Sequence, residues 1–288
     1  MWNAITPLFV PGDRPERYAK AAASGADAII IDLEDAVSPD NKIAAREALA
    51  RSGALPSGID IYVRVNAVGT PWHAEDIAAM AKLPVAGIVV AKSESPPAIE
   101  QASKDAQGKP IIALLESALG LAMARQIAAC GCVPRLAFGS IDYCADLGAA
   151  HLRETLLSAR SEIVLASRLA ALAPPLDGVT PSLDDAALLE DDARYAMNLG
   201  FGGKLCIHPR QIVPVRQGFA PTAEELAWAE AIVATEGQGA VRVEGAMVDA
   251  PVRARARQIL QRAGHQQLAA GKNAPEDTRQ EKRHDHNR

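Results

Sequence analysis

Short apolar runs alternate along the chain with stretches in which apolar residues recur every three or four positions. The runs are TPLFV (Thr6 to Val10), AIIID (Ala28 to Asp32), IYVRV (Ile61 to Val65), GIVVA (Gly87 to Ala91), IIALL (Ile111 to Leu115) and RLAF (Arg135 to Phe138). A run such as AIIID, apolar at successive positions, predicts a strand buried on both faces. Segments between them, such as PERYAKAAASGA and DNKIAAREALARSG, have Ala-rich apolar spacing and stop at a glycine, which predicts amphipathic helices. A long helical stretch from Arg153 to Leu172 precedes two further strands, PLDGV (Pro175 to Val179) and GKLCI (Gly203 to Ile207). Eight such βα units predict an α/β fold, a TIM (β/α)8 barrel spanning residues 1–220.

Residues 221–264 read as C-terminal helices outside the barrel. PTAEELAWAEAIVATEG has Thr222 and Glu225 at capping-box spacing, and GAVRVEGAMVDAPVRARARQILQRAG reads as a short extended piece followed by another helix. Residues 265–288 are polar and rich in Gln, Arg and His, so a disordered tail is expected there. The pair His284 and His286 could bind a metal weakly, but a polar terminus is the simpler reading.

With 288 residues, 49% of them hydrophobic, and a net charge of -5, the chain can bury a large core. No apolar run approaches the ~20 residues of a membrane span, and the N-terminal MWNAITPLFVPGDR lacks a basic lead, so a cytoplasmic protein without a membrane partner is expected. The mild acidity, with no basic stripe, argues against nucleic acid. Cys130, Cys132, Cys144 and Cys206 lack paired zinc spacing and read as reduced thiols without a role.

Chemistry in a TIM barrel is built at the C-terminal ends of its strands. Here those ends are polar: Asp32, Glu34 and Asp35 after the second strand, Arg64 and Asn66 after the third, then Lys92, Glu116, Asp142, Asp177 and His208. Singly, each also fits a solvated loop. Together, carboxylates converging on one mouth repel one another unless a cation or basic side chain offsets them. Glu116 and Asp142, on neighbouring strands, can direct oxygen atoms at one point, which suits a hard cation such as Mg2+ with open positions for water or a chelating substrate. Lys92 raises Schiff-base chemistry as an alternative, which nearby acids disfavour by raising its pKa. His73, His151 and His208 are not helically paired as zinc ligands, and GFGGK lacks the length and terminal Ser or Thr of a phosphate-binding loop. Gly12 and Gly139 would let a ligand approach the backbone closely, or serve only as barrel turns.

In order along the chain, LFVPGDRPERYAKA, DLEDAV, KIAAREAL, VRVN, AKSES, LESALG, FGSIDYCADLG, GKLCIHPRQI and GAMVDAP resemble the blocks of the citrate lyase β-subunit-like and malyl-CoA lyase family, within the HpcH/HpaI aldolase superfamily. The resemblance covers roughly Thr6 to Gly264. It implies a Mg2+-dependent barrel, commonly a trimer or other homo-oligomer, that cleaves or forms a carbon–carbon bond in a 3-hydroxy-acyl-CoA thioester such as citramalyl-CoA, malyl-CoA or citryl-CoA. The products would be a small 2-oxo acid and acetyl-CoA. The family's metal ligands carry over to Glu116 and Asp142, and its substrate-binding arginine to Arg64. Asp32, Glu34, Asp35 and Lys92 would then stand around the cation and its waters, with capping of the following helix as the other role for the aspartates. Asp249 of GAMVDAP matches an aspartate that exchanges a proton with the acyl-CoA α-carbon from the C-terminal lid of a neighbouring subunit; from its place before Pro251 alone, it reads as a helix N-cap. The family often has Glu-Asp where this chain has Ile141-Asp142, which keeps the ligand and removes an adjacent acid. Three alternatives stay open: a citryl-CoA lyase β subunit of a citrate lyase complex, a metal-dependent aldolase acting without CoA, and a non-catalytic acyl-CoA-binding barrel.

Overall fold

The apolar runs become strands because each can bury one face against helices and the other inside a closed sheet. In the computed structural model, which describes residues 3–51, 55–235, 241–243 and 246–272, eight parallel strands follow one another in sequence order. They are β1 (Pro7–Pro11), β2 (Ala28–Asp32), β3 (Asp60–Val65), β4 (Gly87–Val90), β5 (Ile111–Leu115), β6 (Arg135–Phe138), β7 (Leu176–Asp177) and β8 (Gly203–Lys204). The sheet returns on itself just past β8, where Cys206 bridges Leu8 of β1 and the N–H of Phe9 donates to the Cys206 carbonyl at 2.8 Å. The TIM-barrel expectation therefore holds. The last two strands are shorter than the sequence pattern suggests. Strand β7 is confined between Pro175, which has no N–H to donate, and Gly178, where a Cβ would lie 2.2 Å from Ser140 Oγ.

Twelve α-helices are described. Those of the barrel are α1 (Tyr18–Ala22), α2 (Lys42–Ala50), α3 (His73–Met80), α4 (Pro96–Asp105), α5 (Ala118–Ala122), α6 (Ala124–Ala128), α7 (Ser140–Leu147), α8 (Arg153–Leu169), α9 (Ala186–Leu199) and α10 (Ile212–Phe219). The period-two alternation along the strands separates two cores. Ile30, Tyr62, Val89, Ile112, Leu114 and Leu205 fill the barrel, while Ile29, Ile31, Val63, Val90, Ala113 and Leu136 pack against the helices. Burying a side chain such as Ile30 completely contributes roughly 1.5–3 kcal/mol. The same alternation that points Ile30 and Leu114 inward points Asp32 and Glu116, two residues on, into the mouth.

The chain divides into two compact units, Met1–Phe219 and Ala220–Arg288. The second contains α11 (Ala223–Val233), an antiparallel hairpin of β9 (Val241–Val243) and β10 (Ala246–Val248), and α12 (Ala250–Lys272). The predicted capping box forms: Thr222 Oγ1 accepts from the Glu225 N–H at 3.0 Å and Glu225 Oε2 from the Thr222 N–H at 2.9 Å. Val248, Ala229, Ile232, Ala256 and Ile259 make this unit's own small core. Helix α12 runs past Gly264, where the apolar spacing ends, to Lys272, because HQQLAAGK keeps good helix formers after losing its stripe. The rest of the expected tail, with His284 and His286, lies outside the described residues. Among the described residues no helix is long and apolar enough to cross a membrane.

Candidate active site at the mouth of the barrel

The mouth is organised around Arg64. Its guanidinium is buried and gripped bidentately by Asp32, with Nε to Oδ1 at 2.7 Å and Nη2 to Oδ2 at 2.6 Å. Asp32 also accepts the N–H groups of Glu34 and Ala36, each at 2.9 Å, so the backbone after β2 turns around this carboxylate. Nη1 faces Glu34 Oε2 at 3.0 Å, an ion-pair distance without hydrogen-bond alignment, and Asp35 Oδ2 at 3.5 Å. The Phe9 ring lies 4.9 Å from the guanidinium carbon. Burial acts to lower the Arg64 pKa, but Asp32 and Glu34 outweigh it and hold the charge firmly.

Glu116 is buried to 2% exposure. Its Oε1 accepts the Lys92 N–H at 2.7 Å, while Oε2 has no hydrogen-bond partner. Burial first, then the charges of Glu34 and Asp142, push its pKa from 4.5 up to about 8, against the pull of Arg64. A buried carboxylate oxygen without a donor is unfavourable by itself and is the natural ligand of a hard cation. Asp142, on the first turn of α7, is half-buried and close enough to Glu116 to repel it electrostatically. The sequence-predicted pair is thus brought together. Among the described residues no group of three or more His, Cys, Asp or Glu side chains gathers as a metal cage, so water or substrate oxygens would complete a cation held by these two.

Lys92 places its ammonium 3.1 Å from Glu34 Oε1. Burial works to lower its pKa, but Glu34 and Glu116 raise it, so the amine stays charged and Schiff-base chemistry is disfavoured. Glu34 itself is shifted up by burial and by Asp35, against Arg64 and Lys92.

Gly139 does not leave room for a ligand. A Cβ there would sit 2.4 Å from Glu116 Cβ and 2.5 Å from Oε2, so this glycine makes room for the carboxylate. Gly12 is likewise filled by the Asp32 carbonyl and Leu33. Asp177 stands apart from the mouth: alternating with the inward Leu176, it pairs with Lys204 at 2.8 Å and Arg160 at 2.9 Å behind the barrel wall. Asn66 donates to Asp76 at 2.7 Å and to the Leu33 carbonyl at 3.0 Å, bracing the β2 turn, and His208 caps the turn after β8 by accepting the Arg210 N–H at 3.2 Å. Asp249 is exposed and accepts the Val252 N–H at 3.1 Å, the N-cap of α12. Two supports were missed from sequence: Phe9 under the guanidinium, and buried Lys42, whose ammonium donates to the Leu33 and Glu34 carbonyls at 3.0 and 2.8 Å. Inward alternation on β1 could have flagged Phe9; nothing local marks Lys42.

Residues 6–209 match the model of the HpcH/HpaI aldolase/citrate lyase family, and residues 176–266 that of a carbon–carbon bond lyase of the TIM-barrel fold. The chain is 40% identical over 274 residues to a citrate lyase subunit beta-like protein of Mycobacterium tuberculosis, covering 89% of this chain and 94% of that one. A (3S)-malyl-CoA thioesterase of Cereibacter sphaeroides is 32% identical over 267 residues, 89% of this chain and 93% of the relative. The crystal structure of the protein CitE from Mycobacterium tuberculosis, in complex with magnesium, acetoacetate and coenzyme A, superposes with a TM-score of 0.81 at 37% identity, covering 91% of this chain and 98% of that one.

Proposed function

The chain belongs to the HpcH/HpaI aldolase/citrate lyase family, a carbon–carbon lyase on a TIM barrel, and on that premise we propose that with Mg2+ it cleaves or forms the carbon–carbon bond of a 3-hydroxy-acyl-CoA, leaving the thioester intact. The observation that carries this reading is the buried, donorless Oε2 of Glu116 beside a guanidinium already fixed in place. Glu116 and Asp142 would hold Mg2+, which when bound supplies a Lewis acid for the carboxylate and adjacent oxygen of a 2-oxo acid. In support of a metal and a CoA thioester at one site, the neighbouring structure holds magnesium, coenzyme A and acetoacetate together.

Arg64 contributes by being immobile. Two of its nitrogens are committed to Asp32, so the Nη1 edge, which now faces Glu34 and Asp35, is the one that would have to turn to an oxygen whose charge grows as the carbon–carbon bond breaks. Glu34 and Lys92 balance charge around that edge. A proton must then reach the acyl-CoA α-carbon, and Asp249 of a neighbouring subunit in a homo-oligomer would deliver it. In its support, Met247 of β10, two residues before Asp249, exposes 69% of its surface, an apolar side chain suited to closing over a substrate. The free thiols Cys130, Cys132, Cys144 and Cys206 fit a reducing compartment, so the proposed setting is the cytoplasm.

The test is a panel of citramalyl-CoA, malyl-CoA and citryl-CoA with Mg2+, scored separately for 2-oxo acid, acetyl-CoA and free thiol. Oxo acid and acetyl-CoA in equal amounts are expected, and lost in Glu116→Gln and Asp142→Asn. Free thiol with an intact hydroxy acid would mark thioester hydrolysis instead, and no turnover by the isolated chain on any free CoA thioester would overturn the reading.

A further inference from the structure

Strand β4 alternates regularly to its end. Val89 packs inside the barrel with Ile30 and Ile112, while Ile88 and Val90 face the helices. Continued, that alternation would turn Lys92 outward with Ile88 and Val90. Its ammonium instead reaches Glu34 in the mouth.

The hydrogen bonds locate the change. Ile88 donates to the Pro110 carbonyl at 3.0 Å, and steps of two along a parallel ladder would bring the Lys92 N–H to the Leu114 carbonyl. Ser93 takes that acceptor, at 3.0 Å. One residue has been inserted, as in a β-bulge, and Lys92 absorbs it with a left-handed φ of 46°. The other described non-glycine residues with positive φ, Gln107 and Ala171, each follow the C-cap of a helix, where that conformation is ordinary. Lys92 follows a strand. Its turn frees an N–H that donates to Glu116 Oε1 at 2.7 Å, and it swings the side chain to Glu34 Oε1 at 3.1 Å.

We propose that Lys92 is a positioning residue whose inserted, left-handed backbone fixes the Glu116 carboxylate through its N–H while its ammonium fixes Glu34 beside Arg64. The proposal rests on the reading of Glu116 as a cation ligand. With Oε1 tied to the main chain, Oε2 is presented in one direction; a residue that cannot hold φ near 46° withdraws that tie, and a residue without an ammonium withdraws only the second.

Lys92→Gly, Lys92→Asn, Lys92→Ala and Lys92→Val separate the two roles, because left-handed tolerance falls in that order while all four lack the ammonium. Mg2+ alone is titrated calorimetrically into each. Glycine and asparagine variants should bind within about twofold of the parent, and the valine variant about tenfold or more weakly, the usual scale for losing a support of a metal ligand. All four should lose kcat on the acyl-CoA substrate with Mg2+ saturating, and Lys92→Arg should restore part of it. Should the valine variant fail to fold, the asparagine and alanine variants still decide the order. Equal Mg2+ affinity across the folded variants would overturn the main-chain role, and full kcat in Lys92→Gly would overturn the ammonium's. Failure of the parent to bind Mg2+ would instead remove the cation reading beneath both.

Discussion

At the scale of single residues, the mouth is a problem of charge. Asp32, Glu34 and Glu116 are buried together, and Arg64 is the buried cation that pairs with the first two. The paired Nε and Nη2 contacts to Asp32 need a planar fork, so Arg64→Lys should bind Mg2+ normally but lose at least about 100-fold in kcat/KM. Steady-state kinetics at saturating Mg2+ checks this, and near-parental turnover would reduce Arg64 to a partner of Asp32. Glu116 adds a pH dependence with a definite sign. Its carboxyl, raised from 4.5 to about 8, keeps in the folded, metal-free protein a proton that the unfolded chain releases, so the stability contribution is present below pH 4.5 and declines as pH rises toward 8. A cation must displace the same proton. Apparent Mg2+ affinity should therefore climb by up to about tenfold per pH unit from pH 6 to 8, with proton release, and level off above. Calorimetry in buffers of differing ionisation heat measures both, and a flat profile from pH 6 to 8 would contradict it.

Elements decide which of these residues meet. Period-two alternation carries Asp32 and Glu116 inward from Ile30 and Leu114, and this much is legible in AIIID and IIALLE without coordinates. The same rule assigns Asp177, which looked like a mouth residue, to the outer face, since its neighbour Leu176 points in. There it joins β7, β8 and α8 through Lys204 and Arg160. Asp177→Asn leaves two buried cations without their counter-charge, and the expected loss is about 3–5 kcal/mol, read as a lowered urea midpoint. A change under about 1 kcal/mol would show that the triad is not what holds these three elements. Lys92 breaks the alternation by one inserted residue, and no spacing in AKSES announces it.

At the scale of the whole molecule, the proposed chemistry would draw on both the barrel unit and the C-terminal unit. Arg64, Glu116 and Asp142 belong to the first and Asp249 to the second. If the lid acts on a neighbouring subunit, mixing inactive Asp249→Asn and Arg64→Ala proteins should restore measurable activity through oligomers pairing one intact mouth with one intact hairpin. Deuterium exchange at the acetyl-CoA α-carbon, absent in Asp249→Asn alone, should return with it. Full exchange by Asp249→Asn alone would leave Asp249 as the cap of α12 that its contact with Val252 makes it. The sequence by itself determined the barrel, its order of strands and the inward direction of Asp32 and Glu116, because burial on both faces and period-two alternation are local properties that survive in one dimension. Only the tertiary structure decided that Gly139 yields its space to Glu116, that Lys42 and Phe9 brace the β2 turn and the guanidinium, and that Lys92 leaves its register. Each of these depends on atoms brought together from distant strands, where closing the barrel, rather than any neighbour in the chain, fixes the distances.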